Sequence, residues 1–139
     1  MKKYNIEVNK KQLEIILSAL EAYTRAGTHQ FDIMMEAVTK WKYNYETNKK
    51  VNRAIREIIE SPLDEYESFG IHSTEIDDDY RKSYDLIQVL RYTKSWGDVE
   101  DSPEDRDKNF MKYHTRNYDT PYKTAVEDCE LATCELKDE

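Results

Sequence analysis

Arg25, Thr28 and His29 stand in the stretch Tyr23-Thr-Arg-Ala-Gly-Thr-His-Gln-Phe31, where one apolar-periodic run ends and another begins. A helix stopping at Gly27, followed by one capped by Thr28, would leave free backbone N–H groups and a positive dipole end beside a guanidinium and an imidazole. Gly27 suits the left-handed conformation in which many helices end. These are the parts of a small anion-receiving corner, fit for a phosphate. They equally suit a tight helix–helix turn with a solvated arginine. Two further stretches interleave cations with rings: Arg91, Tyr92, Lys94 and Trp96, then Lys112, Tyr113, Arg116, Asn117, Tyr118, Thr120 and Tyr122. That mixture stacks a base and pairs with phosphate oxygens. Its plainer use is as core or interface rings, with cations complementing a helix C-terminus.

Chemistry that breaks bonds finds little support. The histidines, His29, His72 and His114, form no H-E-x-x-H and no zinc spacing with cysteine, and no Gly-rich phosphate loop is present. His72-Ser-Thr74 matches one H-x-T element of two-histidine phosphodiesterases, but no second element accompanies it, so Ser73 reads as a helix cap. Cys129 and Cys134 lie among Glu127, Asp128, Glu130 and Glu135, acids that raise a thiol's pKa and blunt its nucleophilicity. The expectation is a binder, not an enzyme, with no cofactor and no metal.

These residues need elements to position them. Tyr4, Ile6 and Val8 alternate as a short strand would. Asn9 and Gln12 have capping-box spacing, and Leu13, Ile16, Leu17, Leu20 and Tyr23 continue at helical period towards Gly27. A second helix is expected from about Thr28 to Tyr45, with Phe31, Met34, Val38 and Trp41 as its buried stripe. Glu46–Lys50 reads as a polar break. A third helix carries Val51, Ala54, Ile55 and Ile58 on one side and stops at Ser61-Pro62. Ser73 or Thr74 would cap a fourth that reaches Trp96 and ends at Gly97, its Asp77-Asp-Asp79 explained by the macrodipole. An acidic loop is expected at about 98–109, followed by a β-like tail at about 110–136 with runs at Met111–Thr115, Tyr122–Val126 and Cys129–Leu136. The expected fold is thus α+β in a single domain, 1–139: a short N-terminal strand, about four helices, and a tail forming a small antiparallel sheet.

The totals narrow the partners. A net charge of −8 argues against a general nucleic-acid binder, while leaving room for a local basic pocket. Hydrophobic residues at 38% against 36% charged give a thin apolar supply, the balance of a chain that completes its core against copies of itself. No run approaches a membrane span, and Met-Lys-Lys leads into an alternating segment rather than a secretory core, so a soluble, intracellular protein is expected.

The order of motifs carries a resemblance. A helix ending Leu20-Glu-Ala-Tyr-Thr-Arg-Ala-Gly-Thr-His-Gln-Phe31 precedes, much later, one containing Tyr84-Asp-Leu-Ile-Gln-Val-Leu-Arg-Tyr92. In both blocks the chain resembles the first-described class of phage proteins that sequester the signalling nucleotide of the bacterial Thoeris defence system. Tyr23, Arg25, Gly27, Gln30 and Phe31 fit the first block; Tyr84, Asp85, Leu86, Gln88, Val89 and Arg91 fit the second. His29 stands where that family has its second glycine. The resemblance implies a non-enzymatic sponge in the cytoplasm of an infected bacterial cell, assembled from dimers, often as a homohexamer. Such a sponge holds glycocyclic ADP-ribose between protomers, and in some members cyclic oligonucleotides at a separate site. It implies Arg91, Trp96, Arg116, Asn117 and Tyr118 as ligand contacts, and Arg25, Thr28 and His29 as a second site. The rival expectation, from the run Asp98–Asp107, is an acidic inhibitor that binds a host protein or mimics DNA.

Overall fold

Asn9 accepts from the Gln12 amide at 2.9 Å while the Gln12 side chain accepts from the Asn9 amide, so the first helix starts on a complete capping box worth about 1 kcal/mol. The computed structural model describes residues 1–101 and 120–137. Four helices are present among them: α1 (Lys10–Gly27), α2 (Phe31–Thr39), α3 (Tyr45–Ile58) and α4 (Asp78–Asp101). α1 packs on both α4 and α2, and α2 packs on α3. α1 and α4 are antiparallel: Thr24 bonds Ser83 at one end, and Lys10 pairs with Asp98 at the other.

No strand occurs among the described residues, which corrects the expected α+β fold. Tyr4 and Ile6 are exposed on an arm without a ladder partner. The Tyr122–Val126 run has the residue types of a strand, yet it lies along α4, whose side chains take up its backbone amides. Side chains of a helix thus meet backbone groups that a neighbouring strand would otherwise have served. Residues 102–119, which include most of the expected acidic loop and the Met111–Thr115 run, lie outside the described residues.

Helix boundaries also move. The second expected helix stops at Thr39, because Lys40 and Trp41 both adopt left-handed backbone angles, φ 52° and 65°. Asn44 then caps α3 by accepting from the Thr47 amide at 2.8 Å, which draws the supposed polar break at 46–50 into the helix. α4 begins at Asp78, its Asp79 amide bonded to the Asp77 carboxylate at 2.8 Å. It continues through Gly97, where a Cβ would sit 3.6 Å from Leu136, so this glycine lies under the tail and ends nothing. Asp98 and Asp101 are therefore helical, and Asp98 is neutralised by Lys94 and Lys10.

The interior is unusually polar. Six apolar residues are buried among those described (Phe31, Ile76, Ile87, Val89, Val99 and Ala125) against ten polar or charged ones, so hydrogen-bond networks fix much of the architecture. α3 shows this at Asn52 and Arg56, whereas the buried Asn48 Oδ1 has no hydrogen-bond partner among the described residues. The buried residues of α3 are Asn48, Asn52 and Arg56, one row at i, i+4 and i+8, while Ile58 on the expected core side is 80% exposed. Arg56 gathers the carbonyls of His29, Asp64, Glu65 and Glu67, tying the α1–α2 turn to the loop after α3.

Candidate ligand-binding site

The α1–α2 turn uses its polar groups internally. Gly27 has no positive φ; His29 takes the left-handed position instead, at φ 60°. Thr28 is the C-cap of α1, its hydroxyl 3.2 Å from the Arg25 carbonyl and 3.1 Å from Gln30 Oε1. Arg25 donates to Glu21 at 2.7 Å and to Gln30 at 2.6 Å. At the start of α2, Phe31 gives its amide to Asn52, and Asp32 supplies the anion for that helix end. Burial opposes the charge on Asp32, but Lys49 at 2.6 Å and the amides of Ile33 and Asp32 outweigh it and hold the carboxyl below its ordinary range. His29 stacks on Phe31, meets Phe69 edge-on and is hydrogen-bonded through Nδ1 to Ser61 Oγ at 2.8 Å. Burial first, and Arg56 second, lower its pKa, so it is neutral at pH 7 and brings no positive charge to an anion.

On α4, Arg91 and Trp96 are five residues apart, about 140° around the helix, and do not share a face. Trp96 leans edge-on to Tyr92, with ring centroids 6.2 Å apart. Arg91 instead lies two turns from Tyr84, on the same side. Tyr84 is where several groups meet. Burial raises its pKa, the Tyr122 hydroxyl hydrogen-bonded to it raises it further, and the positive charges of Arg91 and Arg25 pull the other way. Two arginines that the sequence assigned to separate sites thus act on one phenol. Arg91 is exposed and, among the described residues, has no ion-pair partner. Tyr122, the hydrogen-bond partner of Tyr84, is half-exposed. Arg116, Asn117 and Tyr118 lie outside the described residues.

Neighbouring rows of α4 hold the segment that carries Tyr122. Gln88 donates Nε2 to the Tyr122 carbonyl at 2.9 Å and accepts from its amide at 3.2 Å. The buried Asp85 carboxylate accepts from the Thr124 amide at 2.8 Å, its hydroxyl at 2.6 Å and the Ala125 amide at 3.0 Å. Asp78 accepts from the amides of Val126 and Glu127, and Arg81 donates to it at 2.6 Å. The Val126 amide, the Arg81 guanidinium and the Glu127 amide together hold Asp78 well below the usual carboxylate range. The sequence marked Asp85 and Gln88 without giving them a task. The signal available was their spacing with Asp78 and Arg81, at steps of three and four residues on one helix side.

Elsewhere, a groove of about 330 Å³ between α1 and α2 is lined by Glu14, Ser18, Glu36, Ala37, Lys40 and the exposed Trp41. Its two carboxylates against one ammonium make it a poor place for a phosphate. Among the described residues no cluster of three or more metal-ligating side chains occurs, and no helix is long and apolar enough to cross a membrane. Comparison with family models, curated proteins and solved structures finds no match, so the chemistry has to be argued from these residues themselves.

Proposed function

We propose that this protein captures a phosphate-bearing cyclic nucleotide and holds it unchanged, as the likeness to the Thoeris-signal sponges implies, with glycocyclic ADP-ribose the leading candidate. The observation that carries the reading is the convergence on Tyr84: an exposed guanidinium from Arg91 with no ion-pair partner among the described residues, a second positive charge from Arg25, and the hydrogen-bonded phenol of Tyr122. A diphosphate takes charge-assisted hydrogen bonds from the guanidinium, and an aromatic face covers the base. The Tyr84 phenol is held protonated, so it serves as a donor and a wall rather than as a base. Capture alone suffices. A protein in excess over its signal, with nanomolar affinity (about 12 kcal/mol), keeps the free signal below an effector's threshold. Its place of action is then the cytoplasm of the infected bacterial cell.

Assembly from dimers into a larger homo-oligomer belongs to the same reading. It draws support from the apolar side chains left uncovered on one chain, among them Ile15, Ile58, Ile59 and Trp41. The test is to incubate the protein with glycocyclic ADP-ribose, remove the unbound ligand, heat the sample and analyse what is released. Intact ligand is expected, with native mass spectrometry showing more than one chain per complex. Arg91→Ala should weaken binding ten- to a hundredfold, matching the roughly 1.5–3 kcal/mol of a charge-assisted contact. A folded protein that retains no such nucleotide, or that releases a cleaved product, overturns the proposal.

A further inference from the structure

We propose that Tyr122 is a ligand-contacting wall of the Arg91 site, and that Gln88 and Asp85 are the positioning residues that hold it there. The identity of the ligand rests on the capture reading above; the positioning does not.

α4 grips the segment 122–127 mainly by its main chain, with the Thr124 and Glu127 side chains adding to the hold. Gln88 bonds both the carbonyl and the amide of Tyr122, the two contacts a neighbouring strand would have supplied. Asp85 collects the amides of Thr124 and Ala125, together with the Thr124 hydroxyl, and Asp78 collects those of Val126 and Glu127. Lys82 closes the far end on Glu127 at 2.7 Å. Main-chain contacts of this kind fix where a segment lies and leave its side chains free for other work. Thr124 and Ala125 turn inward and are buried, whereas Tyr122 is 53% exposed, its hydroxyl on Tyr84.

The rows of the helix make the arrangement specific. At 100° per residue, Asp78 and Asp85 lie in one row, Arg81 and Gln88 in the next, and Tyr84 with Arg91 in a third. The first two rows carry the segment, and the third borders it. A ring delivered at the level of Gln88 therefore falls between Tyr84 and Arg91, where it covers the flat side of a base whose phosphates meet the guanidinium. The motif Tyr84-Asp-Leu-Ile-Gln-Val-Leu-Arg91 has two tasks in alternation: Tyr84 and Arg91 face the ligand, while Asp85 and Gln88 hold the wall.

The experiment is a double-mutant cycle on the full chain, with glycocyclic ADP-ribose as the probe and carbon-13 tyrosine resonances as a ligand-free readout. The Tyr84 ring carbon is assigned with Tyr84→Phe. Tyr122→Ala should weaken binding about tenfold and Gln88→Ala by a similar factor. The double variant should be no weaker than either single one, because Gln88 acts through Tyr122. Without ligand, Gln88→Ala should let Tyr84 titrate at lower pH than in the parent, since it loses both burial and the Tyr122 hydroxyl. If Gln88→Ala loses its helical circular dichroism, Gln88→Glu takes its place, keeping the acceptor and setting a carboxylate against the Tyr122 carbonyl. Additive losses, or an unmoved Tyr84 resonance, overturn the positioning claim. Should the parent protein bind no probe, the capture reading and the ligand wall fall together, and the Tyr84 titration alone decides whether Gln88 places Tyr122.

Discussion

Replacing Gly27 with alanine sets two opposed effects against each other. Near the end of α1, at a position with no left-handed backbone, alanine should help the helix by about 0.5–1 kcal/mol. The added Cβ, however, would lie 2.3, 2.4 and 2.5 Å from Cγ, Cδ1 and Cδ2 of Tyr80, where carbon atoms ordinarily rest 3.5–4.0 Å apart. Those atoms are the root of the ring, so rotation about the ring axis gives no relief. The whole side chain has to swing, and it already packs against Tyr23 with centroids 5.0 Å apart. Overpacking of this kind costs about 1–3 kcal/mol, and spreading α1 from α4 also strains the Thr24–Ser83 hydrogen bond, worth about 1 kcal/mol. The net expectation for Gly27→Ala is a loss of about 2 kcal/mol, or roughly 6–8 °C in Tm at fixed protein concentration. Urea titration provides the free energy. Gly70→Ala is the control: nothing lies within 4 Å of its added Cβ, and it should be neutral or slightly stabilising. In the Tyr80→Ala background, Gly27→Ala should become favourable by the helix term alone. A Gly27→Ala protein as stable as the parent, with no coupling to Tyr80, would refute the packing argument.

Arg56→Lys should destabilise by about 3 kcal/mol, because one ammonium cannot reach the four carbonyls that the guanidinium serves, and carbonyls of the following loop are left without donors. Hydrogen exchange at the Phe69 amide, bonded to Thr28 at 3.0 Å, should accelerate first. Acid sensitivity follows from the carboxylates. Asp78 is depressed by its amide and guanidinium donors; in Asp32 and Asp98 burial opposes the charge, but their lysine partners prevail. Groups with lowered folded pKa values add stability above the unfolded value near 3.9 and lose it as pH falls through the folded one. The carboxylates' contribution to Tm should therefore hold down to about pH 4 and be lost below it, and Asp78→Asn should flatten that loss. His29 has the same sign at higher pH: neutral when folded, it favours the native state above pH 6.5 and loses that contribution on acidification. The urea midpoint should fall between pH 7 and pH 5 in the parent and less in His29→Asn, a residue that tolerates the left-handed φ.

What the sequence made legible was mostly local. The reciprocal pair Asn9 and Gln12 lies within one turn, needs nothing from the rest of the chain, and placed the start of α1 at Lys10. Gly27 was read as a flexible terminator, whereas its missing Cβ makes room for Tyr80, 53 positions away, a relation no local pattern encodes. The α2–α3 break was displaced because the polar run at 46–50 looked like a loop. Asn44 is a stronger signal than that polarity, and Asn48 and Asn52 are buried although polar, Asn52 because it accepts from the Phe31 amide. The β-like tail failed for a related reason. Residue types suited to an extended backbone do not say what will pair with it, and here the partners are carboxylates and an amide on a helix.

The candidate site follows the same division. Residue types announced cations and rings, and Arg25 and Arg91 were both singled out; their convergence was invisible because it depends on α1 lying antiparallel to α4. Direction matters as much as identity. Arg91 and Trp96 look like neighbours in the chain and diverge around the helix, while Tyr84 and Arg91, seven apart, share a side. Arg25 reaches Tyr84 as a charge already paired with Glu21, so its pull is partly compensated, whereas Arg91 has no ion-pair partner among the described residues. On the capture reading proposed above, Arg91 is therefore the anion's main contact. On that same reading specificity falls to the rings, of which Tyr122 is held through its main chain by Gln88 on α4.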